Sequence, residues 1–203
     1  MRISKRPLLI PVVGLVLAMT CYSANAQEKF RQNFTAFAVA LGTSNPPVIP
    51  SGVSATLQIS IERWTTDEER VALLSELVEN GQEGLVKALQ KQKETGFVRV
   101  TTPGVRSSFP SERLRYAREF PREDGGRRIV LALDRYISFY EATFQPRWSD
   151  YDMTLIVMDL DSEGNGEGQL AMAVRLDIND QRQLVIENFG TEPVRLTRIR
   201  TTK

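Results

Sequence analysis

The chain has 203 residues, with 26 basic and 25 acidic side chains, one cysteine and no histidine. Without histidine there is no Ser-His-Asp triad, and once the lone Cys21 is removed with the N-terminal leader there is no cysteine nucleophile, no disulfide and no zinc site of the usual nitrogen and sulfur ligands. A balance this close to neutral supplies no general drive toward nucleic acid or an anionic membrane.

The leader is the opening stretch "MRISKRPLLIPVVGLVLAMTCYSANAQ". Arg2, Lys5 and Arg6 precede an apolar run from Leu8 to Met19, and the small-residue pattern Ala24-Asn25-Ala26 follows. This is the three-part layout of a secretory signal peptide, with cleavage expected after Ala26. The apolar run falls short of the roughly 20 residues a helix needs to cross a bilayer. Lipid attachment at Cys21 is the minor alternative, with Ala18 and Thr20 standing where that processing prefers leucine and a small residue. Cleavage leaves residues 27–203, enough for one domain with a core and short for two.

Beyond the leader, "NFTAFAVALG" reads as a strand, and the proline-rich "TSNPPVIPSG" reads as a loop. In "VSATLQISIE", Val53, Ala55, Leu57, Ile59 and Ile61 alternate with polar residues, the pattern of a half-buried strand. The period then changes. Thr65 and Thr66 are candidate N-caps, acids fill the following turn, and Val71, Leu74 and Val78 form a helical stripe that stops at Asn80-Gly81. A second helix runs from about Glu83 to Glu94 with Leu85, Val86 and Leu89 on its apolar side. The pair reads as a helical hairpin over about 66–94, either a partner-binding element or, as expected of such pairs, a cover for one face or end of a sheet. The stretches "FVRVTT", "RLRYAREF", "RIVLALDRYISFYEA", "YDMTLIVMDL", "QLAMAVRLDI", "QLVIENF" and "VRLTRI" return to alternation, separated by turn signals. The expected class is mainly β, a β-rich α+β domain. About nine antiparallel strands must close into a barrel or split into a two-sheet sandwich.

The loop "DLDSEGNGEG" invites a calcium site. Counted from Asp161, residues Asp161, Glu163, Asn165 and Gly166 suit an EF-hand loop, but Gly168 and Met172 occupy the places of its aliphatic residue and its bidentate glutamate. Strand-like flanks favour a glycine-rich hairpin tip, where glycine supplies positive backbone angles and acids keep the tip solvated. The alternative is a weak oxygen-ligand cation site built from Asp161, Glu163, Asn165 and Glu167, with calcium as the one cofactor it would take.

Arginines sit in the apolar registers of three strands. Arg118 shares the register of Leu114, Tyr116 and Phe120, Arg135 follows Leu131 and Leu133, and Arg198 follows Val194 and Leu196. Asp159 ends the register of Tyr151, Met153, Leu155 and Val157 in the same way. An inward charge costs several kcal/mol unless it is paired, so each position implies a partner, a strand end near water, or a bulge that flips the register. The functional reading is a largely apolar pocket in which Arg118, Arg135, Arg198 and Asp159 meet an anionic or amphipathic small molecule. The plain reading is strand-end arginines that snorkel outward or pair with Asp134, Asp159 or Glu141.

Carboxylates are the remaining catalytic candidates: Asp134, Glu141, Asp150, Asp152 and Asp159 fall in or beside strands, with Trp64 and Trp148 able to stack on sugar rings. No spacing among them selects a pair. The run "RIVLALDRYISFYEATFQPRWSDYDMTLIVMDLDSEGNGEGQLAM" resembles a group of secreted bacterial proteins of unknown function that share an "RIVLA-D" strand and a later "G-G-G" hairpin. That resemblance covers roughly the C-terminal half and implies an exported β-rich domain, with no catalytic residues carried over. The expected function is therefore a secreted or periplasmic, non-enzymatic binding or interaction domain. It would have no nucleic-acid partner and no membrane span after leader cleavage. A carboxylate-based, glycosidase-like hydrolase and a structural envelope protein are the alternatives.

Overall fold

Alternating sequence becomes strand throughout the computed structural model of the protein, which describes residues 30–39, 54–101, 111–135, 153–178, 184–188 and 193–202. The expected leader, Glu141, Trp148, Asp150 and Asp152 lie outside the described residues. In chain order the elements are β1 (Gln32–Val39), β2 (Ser54–Ile61), α1 (Asp67–Lys91), β3 (Gly96–Thr101), β4 (Glu112–Leu114), β5 (Tyr116–Pro121), β6 (Arg127–Leu133), β7 (Met153–Leu160), β8 (Asn165–Ile178), β9 (Leu184–Asn188) and β10 (Val194–Thr202).

Every strand pairing is antiparallel, in the order β4-β3-β2-β1-β10-β8-β7-β6-β5, with β9 paired to β8 off this path. The two ends of that order, β4 and β5, are separated in sequence by Arg115 alone. They are halves of one bent strand, so nine strands form a nearly closed barrel rather than a sandwich. Eight of them make the wall, a number whose interior side chains can fill. Phe34, Leu57, Ile59, Leu131, Ile156 and Met158 are among the largest fully buried side chains, and all belong to one apolar cluster inside the wall.

Where β8 leaves the hairpin, Gly166 and Gly168 lie against the backbone of β7. A Cβ on Gly166 would stand 1.9 Å from the carbonyl oxygen of Asp159, and one on Gly168 would stand 2.3 Å from that of Val157. Glycine here lets two strands approach and the sheet turn tightly at a barrel corner.

The helical segment starts on a capping box. The Thr66 hydroxyl accepts from the Glu69 backbone N–H at 3.2 Å, and the Glu69 carboxylate accepts from the Thr66 N–H at 2.9 Å. At Gly81 the backbone leaves the helix with φ 63° and ψ −159°, a conformation that favours glycine. Two arms result. Arg63 shows that they fold back on each other: its guanidinium pairs with Glu69 in the first turn at 2.8 Å and donates to the Glu94 carbonyl beyond the last turn at 3.0 Å. A straight helix of this length would hold those ends about 37 Å apart. The expected helical hairpin is present.

Leu73 and Leu77 of the first arm and Leu85, Val86 and Leu89 of the second bury themselves against Ala132, Met153, Val174 and Leu176 on the outside of the barrel. Each such side chain contributes about 1.5–3 kcal/mol of burial. Gln82, one residue past the kink, fixes the register by imitating a strand: its amide donates to the Val174 carbonyl at 3.2 Å and accepts from the Leu176 N–H at 3.0 Å.

Three bulges decide which way side chains point. At Arg115 the wall strand bends, so Leu114 and Ala117 face inward while Tyr116 joins the helix-covered cluster outside. Near residues 172–173, β8 carries an extra residue against Thr154, since Leu155 pairs with Ala171 but Met153 pairs with Val174. At Arg198, φ is 53° and two residues of β10 stand against one on each neighbouring strand, against Ala36 of β1 and against Glu167 of β8.

Candidate interaction surface

The bulges at Arg115 and Arg198 each move a residue expected in an internal pocket to the outside. Arg118 lies beyond the Arg115 bend on the outer face, where it pairs with Asp67 and donates to the Thr65 carbonyl at 3.2 Å. There it braces the start of α1. Arg198 is exposed at its bulge, and the inward register resumes with Ile199. Arg135 lies past the end of β6, exposed, with Glu112 at 3.5 Å and Asp134 at 3.9 Å. The register of Met153, Leu155, Val157 and Asp159 is the outward one, because Thr154, Ile156, Met158 and Leu160 face the core. Among the described residues the four lie at the surface rather than in the apolar cluster inside the wall, and that cluster is packed with side chains.

Among the described ion pairs, the least exposed guanidinium is that of Arg115. With 14% of its side chain exposed, it meets Asp134, 6% exposed, at 3.1 Å, and donates to the Gln92 carbonyl at the end of α1 at 3.0 Å. The arginine in the inward register is Arg127, at the other end of β6 from Arg135. It stretches over the Phe34 ring at 5.9 Å, pairs with Glu119 at 2.8 Å and donates to Gln32 at 3.3 Å, closing one mouth of the barrel. The sequence carries its signal, since Arg127 precedes Ile129 by the same two residues that separate Leu133 from Arg135. Arg115 has no such signal, because only the bend buries it.

On the bare outer wall, Arg122, Arg128, Asp159, Glu167, Gln169 and Arg195 border an open groove of about 890 Å³. Three guanidinium groups there face four carboxylates, counting Asp124 and Asp161. The groove is therefore neutralised from within and does not favour an anion. Arg128 grips Asp159 with two hydrogen bonds of 2.7 and 2.8 Å. That bond, helped by the charges of Arg128 and Arg122, holds the Asp159 carboxyl below the ordinary carboxylate range. A lowered folded pKa stabilises above the unfolded value, near pH 4, and the contribution is lost as pH falls through the folded value. With a third of the side chain exposed, screening keeps it below about 1 kcal/mol. In urea titrations, the stability gap between the wild type and Asp159→Asn is expected to be constant above about pH 5 and to close toward pH 2. A gap that widens on acidification would contradict the assignment.

The acidic loop forms the tip of the β7–β8 hairpin. Asp161 Oδ1 accepts from the backbone N–H groups of Glu163 and Asn165, both at 2.9 Å, and Gly164 takes φ 82°. Asn165 donates weakly to Glu163 at 3.5 Å, while Glu167 sits opposite Asp159 on the outer wall. Among the described residues no three acidic side chains come together as a group that could hold a metal ion. Of the catalytic candidates, Asp134 and Asp159 are each committed to an arginine.

One surface departs from this pattern of satisfied charges. The helical stripe of Val71, Leu74 and Val78 points away from the sheet, because Leu73 and Leu77 are the buried pair of that arm. Val71 is 57% exposed, Leu74 37% and Val78 66%, so one helix face carries three of the large apolar side chains that the described residues leave to solvent. Their spacing of three and four residues places them on one line along the helix. Asp67 and Glu68 stand one turn before Val71, and Glu79 follows Val78.

No family model matches the chain, and neither a curated protein nor a solved structure is significantly similar to it.

Proposed function

We propose that this is an exported, non-enzymatic interaction domain: a filled barrel that acts as a rigid mount for a helical hairpin, which docks a partner protein through Val71, Leu74 and Val78. The exposed apolar stripe carries the reading. Side chains of this size left on one line of a well-anchored helix lower the solubility of the free protein, and they gain when a partner covers them. The mount supports it too. Capping box, Arg63 and Gln82 hold the hairpin at its start, its two ends and its kink, so little order remains to be imposed on docking. Export is the contribution of the leader, and the non-enzymatic character rests on the missing histidine and cysteine chemistry and on the carboxylates already paired with arginines.

A photocrosslinking amino acid at Val78, compared with one at Gln58 on the uncovered wall, tests this in the producing cells. Discrete adducts are expected from Val78 and not from Gln58, and they should vanish when Leu74→Glu is added. Identical adduct patterns from both positions, or none from Val78, would overturn the proposal.

A further inference from the structure

We infer that the partner presents an amphipathic helix whose apolar face is flanked by lysine or arginine. This rests on the docking reading above and adds the chemistry of the occupant.

The first arm carries Asp67, Glu68, Glu69, Glu76 and Glu79 against the single Arg70. Glu69 is committed to Arg63, and Asp67 meets Arg118 while keeping 75% of its side chain exposed. Glu68 and Glu79 are exposed and have no cationic partner among the described residues. Negative charge therefore brackets the apolar stripe at both ends, Asp67 and Glu68 before Val71 and Glu79 after Val78. An acid-bracketed apolar line selects its complement, an apolar line with positive ends, in the helix-on-helix mode of recognition.

The same charges argue against two other occupants. A second copy packed arm to arm would set Glu68 and Glu79, which no described cation offsets, against the same acids of its neighbour, a like-charge juxtaposition that opposes the pairing. An anionic lipid surface is repelled for the same reason.

The test uses the leader-free protein and two fluorescent helical peptides with one leucine face, flanked in one by lysine and in the other by glutamate. Exposed ion pairs are individually weak, but the two formed by Glu68 and Glu79 acting together favour the lysine peptide by about fivefold in Kd at low salt. That preference should shrink as salt is raised. It should also disappear in the double variant Glu68→Gln/Glu79→Gln, while Leu74→Glu and Val78→Glu, each checked by circular dichroism for retained fold, abolish binding of both peptides.

Equal affinity for the two peptides would overturn the basic partner and leave apolar docking standing. No binding of either peptide, together with silent crosslinking at Val78, would remove the docking reading itself. A concentration-dependent dimer in sedimentation that dissociates with Leu74→Glu would assign the stripe to a second copy. Binding to zwitterionic vesicles that is lost with Val78→Glu would assign it to lipid, and either result overturns the inference.

Discussion

Gly166→Ala is expected to destabilise the protein by about 3 kcal/mol or more, lowering the melting temperature by about 10 °C. The added Cβ would stand 1.9 Å from the Asp159 carbonyl oxygen, 2.9 Å from its carbon and 3.0 Å from the Leu160 Cα. All three are backbone atoms of a paired strand, so no side chain can swing aside. The β7–β8 ladder must open, and it lies between the hairpin tip and the filled interior. Gly125→Ala is the control, because its φ of 80° carries a conformational cost of about 1 kcal/mol while no atom lies within 4 Å of the new methyl group. Thermal melts of the two variants separate a steric cost from a conformational one. Equal losses would show that β8 does not need to approach β7 so closely.

Arg115→Met is the second change with a large expected effect. It leaves Asp134 almost fully buried, with one carboxylate oxygen already lacking a hydrogen bond and the nearest remaining cation, Arg135, 3.9 Å away. It also strips the Gln92 carbonyl of its donor at the end of α1. Stranding one member of a buried ion pair costs about 3–5 kcal/mol. Replacing both members with apolar residues removes the uncompensated charge, so Arg115→Met/Asp134→Leu is expected to regain most of the loss. Urea unfolding of the single and double variants measures this directly. A double variant no more stable than Arg115→Met would mean that the loss comes from the Gln92 bond or from packing around the bend.

The class of the fold was legible because its signal repeats. Nine stretches alternate with period two, one stretch changes to a helical period, and Asn80-Gly81 marks the reversal between the arms. Facing was not legible, for a local reason. Period-two alternation fixes which residues share a face only until a bulge intervenes, and the insertions at Arg115, near residues 172–173 and at Arg198 leave the printed alternation undisturbed while exchanging inside for outside. Arg198 adopts a positive φ without being glycine, so no residue type announces the bulge. The register of Met153, Leu155 and Val157 was read as inward for a different reason: the hairpin covers part of that outer face, so both faces of β7 are apolar. The same cause hid the stripe. Val71, Leu74 and Val78 form as good a helical line as Leu73 and Leu77 with their neighbours, and only the angle at which Gln82 and Arg63 dock the hairpin decides which line is covered.

The pairing of β1 with β10 constrains the order of events in folding. Asn33 lies opposite Thr202, so the wall is completed by two strands far apart in sequence. Contacts of such long sequence separation pay their loop-closure entropy late, and folds dominated by them form slowly. Until β10 is available, β1 and β8 both lack the strand that lies between them, and the apolar interior has no continuous wall. A barrel whose wall closes only with β10 stays open until that strand arrives.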